Sequence, residues 1–310
     1  NGPRQVFVDR GKGLELTEVT FGSDSDVRRL AQRLAASVGR RLDDAAPFVD
    51  ARLADGTRVH AVLGTLAAPG TCLSLRVPAS RSFSLDDCVA TGSVTAVGAE
   101  ILGRLVRAKL AFLVSGGTGS GKTTLLAALL GLVAPSERIV IVEDSRELAP
   151  RHPHVVRLEG RPANAELAGA ITLTELVRQS LRMRPDRLVV GEVRGAEIAD
   201  LLTAMNTGHE GGCGTVHANS AADVPTRLEA LAALGRLGRD AVHAQLASAL
   251  DAVVHVGRDD DGRRRVREVC VFVRDAASGL VRTETALEFG RDGLTRVGRG
   301  GAQLERLLSR

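Results

Sequence analysis

The chain has 310 residues, long enough for two domains, and its 44% apolar and 25% charged content is that of an ordinary globular protein. A balance of 41 basic to 37 acidic residues leaves +4, too little to argue for a nucleic-acid partner, and with 2% aromatics and no Trp or Tyr the cores must be aliphatic. Cys72, Cys88, Cys213 and Cys270 are scattered without a C-x-x-C pair, and no apolar run approaches the roughly 18 residues of a membrane span.

Residues 1–77 read as a small mixed α+β domain. QVFVD and LELTEVTF look like short strands joined by GKG, and apolar residues at 27, 30, 31, 34, 35 and 38 predict a helix from Asp24 to Val38. FVDARL, RVHAVL and CLSLRV then alternate as strands, the first two joined by a turn at Asp55-Gly56. The polar, aperiodic stretch 78–87 (PASRSFSLDD) reads as a linker, and 88–310 as a second domain. There the texture changes. TAVGAEILGRLVRAK and TLTELVRQSLRM are helical, while KLAFLVS, RIVIVED and RLVVGEV are apolar throughout. Such strands alternating with helices predict an α/β fold with a mostly parallel sheet covered on both faces. DAVVHVGR and RRRVREVCVFV predict a hairpin turned at Asp261-Gly262, and the last 30 residues carry little period. A chain that opens at Asn1 without a signal peptide is read as a fragment of a cytoplasmic protein, whose membrane role would be peripheral.

Gly116 to Thr123, GGTGSGKT, fits the phosphate-loop pattern between an apolar strand and an apolar helix. Backbone N–H groups of Gly116, Gly117, Thr118, Gly119, Ser120 and Gly121, continuing into Lys122, Thr123 and Thr124, would curl around phosphate oxygens. Lys122 would reach the terminal phosphates and the Thr123 hydroxyl a Mg²⁺ ion. Glu192, closing an apolar strand, is a candidate for the metal's water shell, and Glu143, Asp144 and Glu147 form a second acidic set after RIVIV.

The stretch TGHEGGCGTVHANS, 207–220, spaces His209, Cys213 and His217 by four. Its glycines argue against a helix that would align the three, and in a strand four residues span roughly 13 Å, too far for one metal ion. Structural histidines or a phosphate-sensing element remain.

GGTGSGKTT, VEDSREL, RLVVGEVRGAE and TGHEGGCGTVHANS, in this order, resemble the secretion ATPases of the type II/IV superfamily, over about residues 1–275. HVVRLEGRPAN, LVRQSLRMRPDRLVVGEVRG and AMNTGHEGG look most like the branch that drives tight-adherence (Flp) pilus assembly. The resemblance implies a RecA-like P-loop ATPase domain behind the front domain, with ATP and Mg²⁺ as ligands. It implies a cytoplasmic homo-hexamer docked on an inner-membrane platform protein, with no direct nucleic-acid contact. Lys122 and Thr123 match the nucleotide loop, Glu192 the Walker B acid with Arg194 after it, and Glu143, Asp144 and Glu147 the Asp box. Glu147 aligns with the water-activating residue, and His209 and His217 match the His box, both expected beside the γ-phosphate. Arginines acting from a neighbouring subunit are implied on the front domain, with Arg58 and Arg76 the candidates and Arg52 third. Two alternatives stay open: a type IV secretion motor moving DNA or effector proteins, and a nucleotide-binding switch without turnover.

Overall fold

The computed structural model describes residues 1–10, 13–78, 82–161 and 169–310, and the chain divides into two compact units, 1–80 and 81–310. The GKG turn at 11–13, with Lys12, and the centre of the expected linker at 79–81 lie wholly or partly outside the described residues.

The front unit holds a short hairpin, β1 (Phe7–Asp9) and β2 (Leu14–Leu16), then helix α1 (Asp24–Ala36) and the antiparallel strands β3 (Phe48–Arg52), β4 (Arg58–Val62) and β5 (Cys72–Arg76). Val27, Ala31 and Ala35 are the buried stripe of α1, and Ala31 and Ala35 pack with Leu42, Val49, Ala61 and Leu63. Asp24, in the first turn of α1, accepts the Thr71 N–H at 2.5 Å and its hydroxyl at 3.0 Å, tying the helix to the loop before β5. Arg52, Arg58 and Arg76 are aligned across the three strands on one rung.

The large unit opens with α2 (Leu85–Ala90), which starts inside the stretch expected as linker. The reason is local: Ser84 and Asp87 form a reciprocal capping box, with Ser84 Oγ accepting the Asp87 N–H at 3.1 Å and Asp87 Oδ2 accepting the Ser84 N–H at 2.8 Å. There follow α3 (Ala96–Arg107), β6 (Phe112–Gly116), α4 (Lys122–Leu130), β7 (Ile139–Glu143), β8 (Val155–Glu159), α5 (Leu173–Ser180) and β9 (Arg187–Val193). Next come α6 (Glu197–Asn206), β10 (Cys213–His217), α7 (Val224–Leu234), α8 (Arg239–Ala249) and β11 (Ala252–Arg258). The chain closes with β12 (Arg264–Arg274), β13 (Val281–Phe289), β14 (Thr295–Val297) and α9 (Gly301–Leu308).

The strand order is β14-β13-β12-β11-β6-β10-β9-β7-β8; β11 to β8 run parallel and β12 to β14 antiparallel. Every residue of β6 and β7 is buried, which fits central strands covered on both faces. One core layer joins α3, α4 and α9 to the sheet, and the other joins α5 to α8. The weakly periodic tail thus has a place: Leu304, Leu307 and Leu308 of α9 are buried against the first layer. Among the described residues no helix is long and apolar enough to cross a membrane.

At the amino edge of the strands Arg187 is almost wholly buried, donating to Glu137 at 2.7 Å and to the Val106 carbonyl at 3.0 Å. Burial would raise the Glu137 carboxyl, but the Arg187 hydrogen bond and charge, with Lys109, hold it below its ordinary range. Removing one partner of a buried pair strands the other charge, so Arg187→Ala should lower unfolding stability by about 3–5 kcal/mol. Urea denaturation followed by circular dichroism checks this; an unchanged midpoint would refute it.

Candidate functional site

The carboxyl ends of β6, β10, β9 and β7 deliver side chains to one edge, where ligands of open α/β sheets collect. Gly121 takes φ +96°, in the left-handed region that admits glycine readily, and from there α4 begins at Lys122. Gly116 is constrained differently: a Cβ there would run into the Val256 carbonyl of β11 and the Ser120 hydroxyl.

Lys122 is buried, and its Nζ donates to the carbonyls of Gly116 at 3.0 Å and Gly117 at 2.9 Å. The His217 ring nitrogens lie 3.4 and 3.5 Å away. Burial pulls the Lys122 ammonium below its ordinary pKa and Arg194 adds to this, while Glu192 and Glu147 oppose it. His217 sits opposite Gly116 in the parallel register, so β10 carries it directly to the loop.

Glu192 owes its place to an irregularity. Between Gly214–Val190 and Val216–Val193 the register of β10 and β9 shifts by one, inserting an extra residue at Gly191–Glu192. Such bulges re-aim side chains. The buried Thr215 hydroxyl donates to the Gly191 carbonyl at 2.6 Å and holds the bulge closed. Glu192 Oε2 pairs with Arg194. Its Oε1 is buried 2.6 Å from His217 Nε2, an ion pair only when the ring is protonated, and it makes no hydrogen bond. An orphaned buried carboxylate oxygen beside a phosphate loop suits a hydrated hard cation. Thr123, the second residue of α4, would add a hydroxyl, and Mg²⁺ takes one or two such oxygens beside those of a phosphate. Thr123 and Glu192 therefore fit the ion.

Glu147 acts on Lys122 and Arg194 through its charge, which places it on the same edge. Its position depends on Glu143, whose buried Oε1 accepts the N–H groups of Glu147 at 2.9 Å and Leu148 at 2.8 Å. Burial raises the Glu143 carboxyl and these N–H groups oppose the rise. Glu143 is thus a positioning residue for the acidic loop. Glu197 does the same after β9, accepting the N–H groups of Arg194 at 2.6 Å and Gly195 at 2.8 Å. Sequence reading missed Glu197 and Thr215. An acid at the start of a helix signals the first, but nothing local announces a bulge clamp.

One expected site residue is not delivered to this edge. His209 follows α6, with Nδ1 3.2 Å from the Ala204 carbonyl. Cys213 is level with Phe112 and His217 with Gly116, so the strand separates its two ends by roughly 13 Å. His209, earlier still, belongs to the amino edge and not beside the γ-phosphate. Cys213 is fully buried, and burial pushes its thiol up to about 12; among the described residues no group of three or more His, Cys, Asp or Glu could hold a metal ion. The stretch 207–220 is therefore a turn, a buried strand, His217 at its end, and Ser220, whose reciprocal hydrogen bonds with Asp223 close the turn before α7.

A family model described as a type II/IV secretion system protein matches residues 1–297. The chain belongs to that family. A putative conjugal transfer protein of Mycobacterium tuberculosis is 56% identical over 289 residues, which is 91% of this chain and 82% of that protein. Among solved structures, the VirB11 ATPase of the Brucella suis type IV secretion system, in complex with sulphate, is 28% identical with a TM-score of 0.50. It spans 87% of this chain and 90% of its own. The pilus retraction motor PilT with bound ADP, 18% identical, has a TM-score of 0.59 over 100% of this chain and 83% of its own. These likenesses agree with the sheet order: the fold is a RecA-like α/β fold.

His217 faces opposing influences. Burial lowers its pKa, Glu192 raises it, and Lys122, Arg194 and Arg227 lower it again, leaving the value below the ordinary 6.5. A depressed histidine favours the fold in its neutral form; that contribution is complete above pH 6.5 and is lost as pH falls through the folded value. In nucleotide-free protein the His217 ring resonances should titrate with a midpoint below 6.5 by NMR. A midpoint above it would mean that Glu192 outweighs burial and the three cations.

Proposed function

We propose that the chain hydrolyses ATP to ADP and phosphate as one subunit of a homo-hexameric motor serving a type II/IV secretion machine. The observation that carries this is the meeting of Lys122, Glu192 and His217, from three adjacent elements of one sheet edge, with Glu147 in electrostatic reach. Backbone N–H groups of 116–124 cradle the phosphates, and Lys122 exchanges its loop carbonyls for phosphate oxygens and neutralises the charge that develops there. Mg²⁺ held by Thr123 and, through water, Glu192 would supply further neutralisation of phosphate charge. Glu147 orients and accepts a proton from the attacking water, while neutral His217 donates to a γ-phosphate oxygen and registers its loss. The aligned row Arg52, Arg58 and Arg76 suits phosphate oxygens, and we assign Arg58 and Arg76 to the nucleotide of a neighbouring subunit.

For cargo, the stretches HVVRLEGRPAN, LVRQSLRMRPDRLVVGEVRG and AMNTGHEGG favour assembly of a tight-adherence pilus, by docking on a platform protein at the cytoplasmic face of the inner membrane. A second reading, transfer of DNA or effector proteins by a type IV system, is favoured by the conjugal-transfer relative and by VirB11. Stimulation of turnover by DNA would select the second. The intact acidic set speaks against a switch without turnover.

Lys122→Ala should abolish ATP turnover, by at least about 100-fold, with circular dichroism unchanged; retained activity would refute the site. In a colorimetric phosphate assay, turnover per subunit should rise with protein concentration as rings form. Under ring-forming conditions Arg76→Ala should reduce it on the order of 10³-fold. Unchanged turnover would remove Arg76 from the mechanism.

A further inference from the structure

Around its turn the β11–β12 hairpin carries five arginines, at 258, 263, 264, 265 and 267. Four are engaged. Arg258 donates to the Gly262 carbonyl at 3.1 Å, Arg263 pairs with Asp261 at 3.4 Å, and Arg265 and Arg267 pair with the buried Asp259 at 3.3 and 3.4 Å. Arg264 is exposed, and among the described residues its side chain has neither a hydrogen bond nor an ion pair. Its location is specific. The Arg264 Cδ lies 3.4 Å from the point a Cβ on Gly121 would occupy, so the side chain runs along the last residue of the phosphate loop. The same hairpin sets the Val256 carbonyl against Gly116, so it borders the loop at both ends.

Sheet order separates two flanks of that loop. β10 and β9 bring His217 and Glu192 to one side of β6, where the terminal phosphate and its metal belong; β11 and β12 stand on the other. A nucleotide whose triphosphate end meets His217 and Glu192 has the hairpin on its opposite flank, where its ribose and base can lie. No Trp or Tyr and only seven Phe exist to stack on a base, whereas a guanidinium plane stacks well on an aromatic ring.

We propose that Arg264 binds the nucleoside half of the nucleotide, its guanidinium lying against the base. This rests on the nucleotide site proposed above. The sheet edge then holds the substrate from both flanks: charge recognition of phosphate on the β9–β10 side, stacking on the β12 side.

Calorimetric titration of ATP, ADP and inorganic tripolyphosphate into the full chain tests it, since tripolyphosphate has no nucleoside. Arg264→Ala should weaken ATP and ADP binding by about five- to tenfold and leave tripolyphosphate within about twofold, which also shows that the variant is folded. Arg264→Lys keeps the charge without the plane and should lose as much. An equal loss on tripolyphosphate, or full recovery in Arg264→Lys, would overturn the proposal in favour of a phosphate contact. No loss on any ligand would overturn it outright. If the unsubstituted protein bound neither ATP nor tripolyphosphate, the nucleotide site itself would fall, a result distinct from a variant that merely behaves like it.

Discussion

The ammonium of Lys122 is buried against two loop carbonyls, and Glu192 and Glu147 of neighbouring elements support its charge. A lysine taken from water is costly to keep protonated, so it holds its charge only where acids approach from outside its own loop. The sheet provides that approach. With β10 between β6 and β9, the ends of all three strands bring Lys122, His217 and Glu192 together. A phosphate group placed there would meet a cation held in position before binding, so little reorganisation is needed.

Two other buried acids do a different task. Glu143 and Glu197 each accept two consecutive backbone N–H groups, and each holds the loop that follows its strand or precedes its helix. A carboxylate accepting such a pair gives strong charge-assisted bonds, and removing it strands two donors. Acids in this region therefore divide by geometry: Glu192 and Glu147 act at the edge, while Glu143 and Glu197 shape the loops that present Glu147 and Arg194.

The parallel and antiparallel halves of the sheet also divide the work. The parallel strands end in the groups suited to phosphate and metal, and the antiparallel addition beginning at β12 walls the loop from the other flank. The Asp259 cluster, drawing on Arg265, Arg267 and Arg291, ties that hairpin to the β13–β14 turn and fixes its tip. The arginine-rich segment is a largely exposed hairpin tip whose charge is balanced by Asp259 and Asp261, of which Asp259 alone is buried.

The phosphate loop, the apolar strands RIVIVED and RLVVGEV, and the candidacy of Lys122, Glu192 and Glu147 are all present in local sequence, because they depend on short-range rules. Those rules are glycine at strained turns, continuous apolar runs for buried strands, and acids at strand ends. The Ser84–Asp87 cap was legible too, as a serine three residues before an acid. Which histidine reaches the loop was not. His209 and His217 are alike in sequence, but His209 precedes β10 and His217 ends it, and the register of β10 against β6 tells them apart. Nor could sequence place Thr215 under the bulge, Arg264 along Gly121, or three arginines on one rung of the front sheet. Those relations join residues from separate strands, and strand pairing is set by how the whole core packs and not by any single segment.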